Sequence, residues 1–256
     1  MKLKKAGFLS SWLRPEREDA ASRSAKKEMR SELLLSRGDA DFEGWYREGL
    51  LRCAMNDNFT RKQRFYNLVQ FFRQVIALEG SVAECGAWRG LSSYLICRCA
   101  QSHLPDFSGR DYHVIDSFEG LPEPGPEDRI PGKGSEDIRG KFLGTPEEVS
   151  RALERFPKIH YHRGWIPDVF RNLSETVYKF VHVDVDLYRP TRDALNYFVP
   201  KLAPKGILVC DDYASPGWPG AKKAVDDFCR EKNLSALVLS TGQAVFLGPY
   251  ASGNLS

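Results

Sequence analysis

No stretch of about 18 consecutive apolar residues, the length needed to cross a bilayer as a helix, occurs in this chain. The apolar stretch from Ala6 to Leu13 is interrupted by serines and followed by charges, with no small-residue cleavage site, so it does not read as a secretion signal. The six cysteines, Cys53, Cys85, Cys97, Cys99, Cys210 and Cys229, lack both the paired spacing of zinc ligands and the density of a disulfide scaffold. Several fall inside expected strands or helices, where free cysteine acts as a small hydrophobe, and a reducing cytoplasm is the expected location. Zinc-finger spacing, a basic recognition helix and aromatic-basic interleaving are also missing, which argues against a nucleic-acid partner. No internal repeat is visible.

What remains is ordinary for a globular protein: 256 residues, 42% hydrophobic and 28% charged, enough for one sizeable core. The net charge of +3 is unevenly spread. Residues 1–30 hold nine Lys/Arg against four Asp/Glu, which leaves the rest of the chain slightly acidic. This basic leader, with Phe8, Leu9, Trp12 and Leu13, suits weak contact with an anionic membrane surface, a mobile tail or an oligomer arm. The expected organisation is a leader over 1–40, a helical cover or lid over 41–78, and an α/β domain over 79–250.

Within that domain, strand and helix patterns alternate. Strands are expected near Val82–Cys85, Tyr112–Ile115, Ile159–His162, Phe180–Val185 and Ile207–Cys210, with a terminal hairpin of Ala236–Leu239 and Ala244–Leu247 around Thr241-Gly242. Helices are expected near Leu91–Ala100, Pro146–Arg155, Pro167–Leu173, Pro190–Leu202 and Ala221–Lys232. This predicts a doubly wound, mostly parallel seven-stranded sheet of Rossmann-like type, with an antiparallel C-terminal edge and an N-terminal helical extension. The long Gly/Pro-rich segment from Leu121 to Gly144 lies on the ligand side of such a sheet and reads as an acceptor-site loop.

Two apolar runs end in acids: Phe-Val-His-Val-Asp-Val-Asp over 180–186 and Ile-Leu-Val-Cys-Asp-Asp over 207–212. In an open parallel sheet, ligands collect beyond the carboxyl ends of the strands. Asp184, Asp211 and Asp212 would converge there and repel one another, unless protonation or a cation relieves them. A divalent cation is the reading adopted. The competing reading, an aspartate that caps the next helix or stabilises a turn through its own backbone, is applied to Asp186, just ahead of the helix expected from Pro190.

The segment Glu84-Cys85-Gly86-Ala87-Trp88-Arg89-Gly90 closes the first strand where a doubly wound fold binds a nucleotide. A dinucleotide site wants a second glycine where Trp88 stands, so a pyrophosphate is disfavoured and a nucleoside cofactor such as S-adenosylmethionine fits better. A tight strand-to-helix turn explains the two glycines about as well. Glu84 is nearby to receive a cationic or hydroxyl-bearing part. Asp116, ending the second strand, suits a ribose, and Phe118 or Trp165 could pack on adenine.

Taken together, Glu84–Gly90, Asp116-Ser117-Phe118-Glu119-Gly120-Leu121-Pro122, Gly164-Trp165, His182–Tyr188 and Cys210-Asp211-Asp212-Tyr213 resemble the macrocin O-methyltransferase family over roughly residues 60–230. The resemblance implies a class I methyltransferase fold, S-adenosylmethionine as donor, and Mg²⁺ held by Asp184, Asp211 and Asp212. It also implies cofactor contacts from Thr60, Glu84, Gly86, Trp88, Gly90, Ser92, Ser93, Asp116, Ser117, Gly164 and Trp165. A homo-oligomer is implied too, with N-terminal segments helping to enclose a neighbour's site. The expected reaction is methyl transfer to a hydroxyl of a sugar-like vicinal diol on a small glycoside or polysaccharide. Asp184 is the first choice for the base, ahead of His182, His160 and His162. The rivals are a catechol-type acceptor, a nicotinamide oxidoreductase and a non-catalytic S-adenosylmethionine-binding protein.

Overall fold

In the computed structural model, residue 36 and residues 38–249 are described, apart from 131, 133, 135, 136, 175 and 176. The basic leader, its membrane-surface contact and its role as an oligomer arm therefore fall almost wholly outside the described residues. Two helices come first, α1 (Ala40–Arg52) and α2 (Phe59–Val75), where one continuous helical segment is expected. The break has a local cause. Asn58 folds back as the N-cap of α2, its side chain accepting from Arg61 N–H at 2.9 Å, much as Asp39 caps α1 from Phe42 N–H at 3.0 Å. The Asn-Asp-Asn run at 56–58 carries that signal in the sequence.

The sheet follows: β1 (Ser81–Cys85), α3 (Leu91–His103), β2 (Tyr112–Asp116), α4 (Pro146–Ala152), β3 (His160–Arg163), β4 (Tyr178–Val183), α5 (Tyr188–Phe198), β5 (Leu202–Cys210), α6 (Pro219–Lys232), β6 (Leu237–Val238) and β7 (Ala244–Leu247). Its seven strands lie in the order β3-β2-β1-β4-β5-β7-β6. The first five are parallel, and β7 runs antiparallel to both β5 and β6, as the expected hairpin edge requires. Two expected helices differ. Residues Asp168–Asn172 form only a 3-10 turn, and the helix expected to run to Leu202 ends at Phe198, because Pro200 cannot donate to an α-helical ladder. The chain then enters β5 at Leu202, five residues before the strand expected from Ile207.

Side-chain alternation divides the strands between two layers. Val82, Val114, Phe180, Ile207 and Val209 face α1 to α4, whereas Ala83, Ile115, Val181, Val183 and Leu208 face α5 and α6. Phe72 of α2 meets Phe180 edge-on at 5.3 Å, so the helical cover and the sheet share one core. The loop after β2 closes on itself through Leu121 N–H to Lys141 O and Gly140 N–H to Leu121 O, at 2.8 and 2.9 Å. Leu121 and Ile138 then pack with Leu187 at the start of α5. No helix among the described residues is long and apolar enough to cross a membrane.

Candidate functional site

The chain runs outward from β1 to β2 and β3, then crosses back to lay β4 on the other side of β1. That reversal is the switch point, where neighbouring strand ends diverge and leave a crevice. Backbone bonds continue the ladder past the strand ends: Gly164 N–H to Asp116 O at 3.0 Å, Gly86 N–H to Ile115 O at 2.9 Å, Asp184 N–H to Cys85 O at 2.9 Å and Asp211 N–H to Val183 O at 2.8 Å. Five segments chosen from the sequence are thus set side by side. A cavity of about 980 Å³ opens above them. Gly86 must be glycine here: its φ is +84°, and a Cβ would lie 1.9 Å from the carbonyl oxygen of Asp184.

Asp184, Asp186, Asp211 and Asp212 all line this cavity. Carboxylate oxygens of Asp184, Asp186 and Asp212 lie within 4.8 Å of one another, as do ligand atoms of His182, Asp184 and Asp211. Burial, then the charges of Asp211 and Asp212, push the Asp184 carboxyl well above the usual range, and burial with Asp212 does the same to Asp186. Asp211 behaves oppositely. Burial would raise it, but the charge of Arg64 and a contact with His182 hold it below the ordinary value.

Arg64 was not anticipated from the sequence. From α2 its Nη2 reaches Asp212 Oδ1 at 2.9 Å and also ion-pairs with Asp211 Oδ2. Gln243 donates to Asp211 Oδ1 at 2.8 Å from the turn before β7. His182 is fully buried below: its Nδ1 lies 2.9 Å from Glu84 Oε1, and its Nε2 3.7 Å from Asp211 Oδ1. Burial would lower the imidazole pKa, but contacts with Asp211 and Glu84 raise it to about 10. His182 is thus a buried imidazole set between Glu84 and Asp211, beneath the acids. His160 and His162 stack with His113 on β2 and β3, and none of the three lines the cavity.

The helix-capping assignment of Asp186 is corrected by the structure. Asp186 sits at φ +58° and is 7% exposed, and α5 takes no cap from its own N-terminal side chain. Asp128 of the long loop supplies that bond, accepting from Tyr188 N–H at 2.7 Å and from Gly125 N–H at 2.8 Å. The only sequence signal for Asp186 was its place two residues after Asp184; a tight turn at φ +58°, closed by Leu187 N–H to Val185 O, sets it among the acids.

The acids fit a hard divalent cation. All the donors are carboxylate oxygens, the Asp212 Oδ2 atom is buried without a hydrogen-bond partner, and the Asp184 and Asp186 carboxyls are pushed up by burial and then by the neighbouring acids. Asp184, Asp186 and Asp212 supply an all-oxygen group. Asp211, bonded to Arg64 and Gln243, stands beside them.

On the other side of Gly86 the cavity is lined by Trp88, Ser92, Asp116, Ser117, Gly164 and Trp165. Asp116 Oδ2 accepts from the N–H groups of Ala87 and Trp88 at 2.8 and 3.1 Å, and Oδ1 from Phe118 N–H at 2.7 Å. A carboxylate offers about four acceptor sites, so one is left for a ribose hydroxyl. Trp165 is 38% exposed in the cavity wall, whereas Phe118 is buried in the core, which leaves the indole as the aromatic face open to adenine. Glu84 and Ser93 are fully buried and bonded to each other, with Tyr112 and His182 also on Glu84 at 3.1 and 2.9 Å, beneath the cavity rather than in its lining. Gly90, at φ +83°, begins α3 behind the lining, and Thr60 is exposed on α2 and also outside it. Sequence reasoning missed the aromatic wall opposite, where Phe142 meets Trp88 at 5.2 Å and Trp218 at 6.0 Å.

The sheet order with a cavity at its switch point defines the class I methyltransferase fold. Solved structures agree: the O-methyltransferase NovP superposes with a TM-score of 0.62 at 25% identity, covering 73% of this chain and 79% of that one. The calicheamicin methyltransferase CalS11 gives 0.63 at 18% identity, covering 96% and 99%, a likeness of fold. The family model described as macrocin O-methyltransferase (TylF) matches residues 18–246, and this chain belongs to that family. Among curated relatives, the 8-demethyl-8-(2,3-dimethoxy-alpha-L-rhamnosyl)-tetracenomycin-C 4'-O-methyltransferase of Streptomyces olivaceus is 30% identical over 59% of this chain. The demethyldecarbamoylnovobiocin O-methyltransferase of Streptomyces niveus is 30% identical over 65%. The matched segments span only 60% and 65% of those two proteins, less than two thirds of either.

Proposed function

We propose that this chain is an O-methyltransferase that moves the methyl group of S-adenosylmethionine to a hydroxyl of a sugar-like vicinal diol, assisted by Mg²⁺. One observation carries the reading: a nucleoside-sized wall (Gly86, Asp116, Trp165) and a four-carboxylate cluster (Asp184, Asp186, Asp211, Asp212) share one cavity. Family membership supports it, as do the names of the relatives, which describe methylation of rhamnosyl and novobiocin-type compounds.

Methyl transfer is an in-line displacement, so the protein must chiefly align an oxygen with the methyl carbon and exclude water. Trp88, Ser92, Ser117, Gly164 and Trp165 would enclose the donor while Asp116 takes a ribose hydroxyl. Gly90, Thr60, Glu84 and Ser93 would support that wall from outside the lining. Phe142 and Trp218 would cover the acceptor side. Asp184 and Asp212 would hold the metal together with Asp186 and with Asp211, the third acid expected from the sequence; bound there, Mg²⁺ would lower the pKa of an acceptor hydroxyl. The proton would pass to a carboxylate oxygen of Asp184, the side chain between the strand-end acids and the Gly86 turn. Asp186 is buried alongside and is tested separately.

The experiment is incubation of the pure protein with labelled S-adenosylmethionine and a panel of glycosides and catechols, with Mg²⁺ or with excess chelator. Asp184→Asn and Asp186→Asn are expected to lower transfer by at least about 100-fold, the usual scale for losing a positioned acid or base, with donor binding retained. Full activity in chelator would remove the metal. Transfer to catechols alone would replace the sugar acceptor. Activity of Asp184→Asn equal to that of the unaltered protein would move the base elsewhere.

A further inference from the structure

Three arginines in or near this cavity are neutralised by acids: Arg64 by Asp211 and Asp212, and, on the adjoining helices, Arg52 and Arg98 by Glu48. Arg61 and Arg89 are different. Both line the cavity, and among the described residues neither has a carboxylate within ion-pair distance. Each is instead tied to the same short turn between α1 and α2. Arg89 Nη1 donates to Ala54 O at 2.8 Å, and Arg61 Nη2 donates to Asn56 O. The Nε atom of each is buried and has no hydrogen-bond partner. A guanidinium carries five N–H donors, and a buried donor left unmade is costly, so two such groups on one cavity wall form a site prepared for an oxyanion.

Their position indicates which oxyanion. Arg89 directly follows Trp88 in the turn after β1, and its guanidinium lies 5.6 Å from the Trp88 ring. Arg61 lies three residues ahead of Arg64 on α2, one helical turn from the acid cluster. A donor with its ribose on Asp116 and its reactive carbon towards Asp184 must send its amino-acid tail past Gly86 to this wall. Elsewhere the lining presents Asp116, Asp184, Asp186, Asp211 and Asp212, which repel a carboxylate, and Arg64 is already engaged. Arg189, the other cavity arginine, is exposed on α5.

We infer that Arg61 and Arg89 form a carboxylate subsite that takes the α-carboxylate of the donor's methionine moiety. This rests on the reading of S-adenosylmethionine as donor and adds to it a pair of residues that the resemblance does not give as cofactor contacts. A planar carboxylate matches the paired N–H groups of a guanidinium, which makes arginine the suitable residue and lysine a poor substitute.

The test is equilibrium binding of two ligands to the full chain: S-adenosylhomocysteine, which has the amino-acid tail, and 5'-methylthioadenosine, which lacks it. Arg61→Gln and Arg89→Gln are each expected to weaken S-adenosylhomocysteine about tenfold or more, the loss typical of a charge-assisted hydrogen bond. 5'-Methylthioadenosine should bind within about twofold of the unaltered protein, which also reports that the pocket is intact. Equal weakening of both ligands would overturn the subsite, as would unchanged binding of S-adenosylhomocysteine. Where a glutamine variant does not fold, Arg61→Lys or Arg89→Lys carries the test. Those variants keep the charge but lose the fork, and unchanged S-adenosylhomocysteine binding in them overturns the assignment equally. If the unaltered protein binds neither ligand, the donor reading falls first and the subsite with it.

Discussion

Arg64→Gln is the perturbation with the clearest energetic consequence. The guanidinium bridges Asp211 and Asp212, and the three side chains are 18%, 4% and 5% exposed, so solvent screens the pair weakly. Removing one partner of a buried ion pair costs about 3–5 kcal/mol, because the remaining charge stays buried without compensation. Gln243 and His182 still attend Asp211, which argues for the lower end, about 3 kcal/mol. At about 2–4 °C per kcal/mol for a domain of this size, the melting temperature in chelator should fall by about 6–12 °C. A cation bound by the same carboxylates would replace the missing charge. At 100 times its dissociation constant it returns about 2.7 kcal/mol, so Mg²⁺ should restore most of the loss. In the unaltered protein the ion must compete with Arg64, and its stabilising shift should be smaller. Differential scanning calorimetry of both proteins, with EDTA and with a Mg²⁺ series, measures all four values. A variant melting within about 2 °C of the unaltered protein in EDTA would show that the pair contributes almost nothing, as an exposed bridge would. Equal losses with and without Mg²⁺ would show that no ion takes the place of the guanidinium.

Gly86→Ala should destabilise the protein by roughly 2–5 kcal/mol, because the new Cβ meets the Asp184 carbonyl at 1.9 Å in a left-handed backbone. It should also weaken S-adenosylhomocysteine, and an unfolding midpoint equal to that of the unaltered protein would mean that the close approach is relaxed in solution. Burial raises the Asp39 carboxyl, but hydrogen bonds from Arg73 and Phe42 N–H and the Arg73 charge bring it below its ordinary value. A carboxyl lowered on folding stabilises the native state above its unfolded pKa, near 3.8, and loses that effect as pH falls through the folded value. The melting-temperature gap between the unaltered protein and Asp39→Asn, which keeps a capping side chain, should therefore be constant above about pH 5 and close towards pH 2. A gap that widens on acidification would contradict the sign.

Much of the sheet is written locally. Alternating apolar strands such as Phe180 to Val183, covered on one layer by Phe72 and on the other by α5, need both faces buried, and that demand fixes a parallel sheet within layers of helix. Acids directly after β4 and β5, and the glycine turn after β1, announce a ligand site because strand ends in such a sheet open onto a crevice. Boundaries were less legible at 53–58 and at 199–206, where a cap and a proline compete with periodic spacing that continues on either side.

The sequence alone determined the architecture, the place of the site and the identity of its strand-borne acids, since strand period and turn chemistry act over a few residues. Only the tertiary structure decided which charges meet. Arg64 reaches Asp212 across 148 positions, Gln243 reaches Asp211 across 32, and Asp128 caps a helix 60 residues away. Asp186 joined the acids for the same reason: its alternative, capping α5, was filled by a loop from elsewhere in the chain. Electrostatic partnership depends on distance in space, and a linear spacing encodes that distance only within a single element of structure.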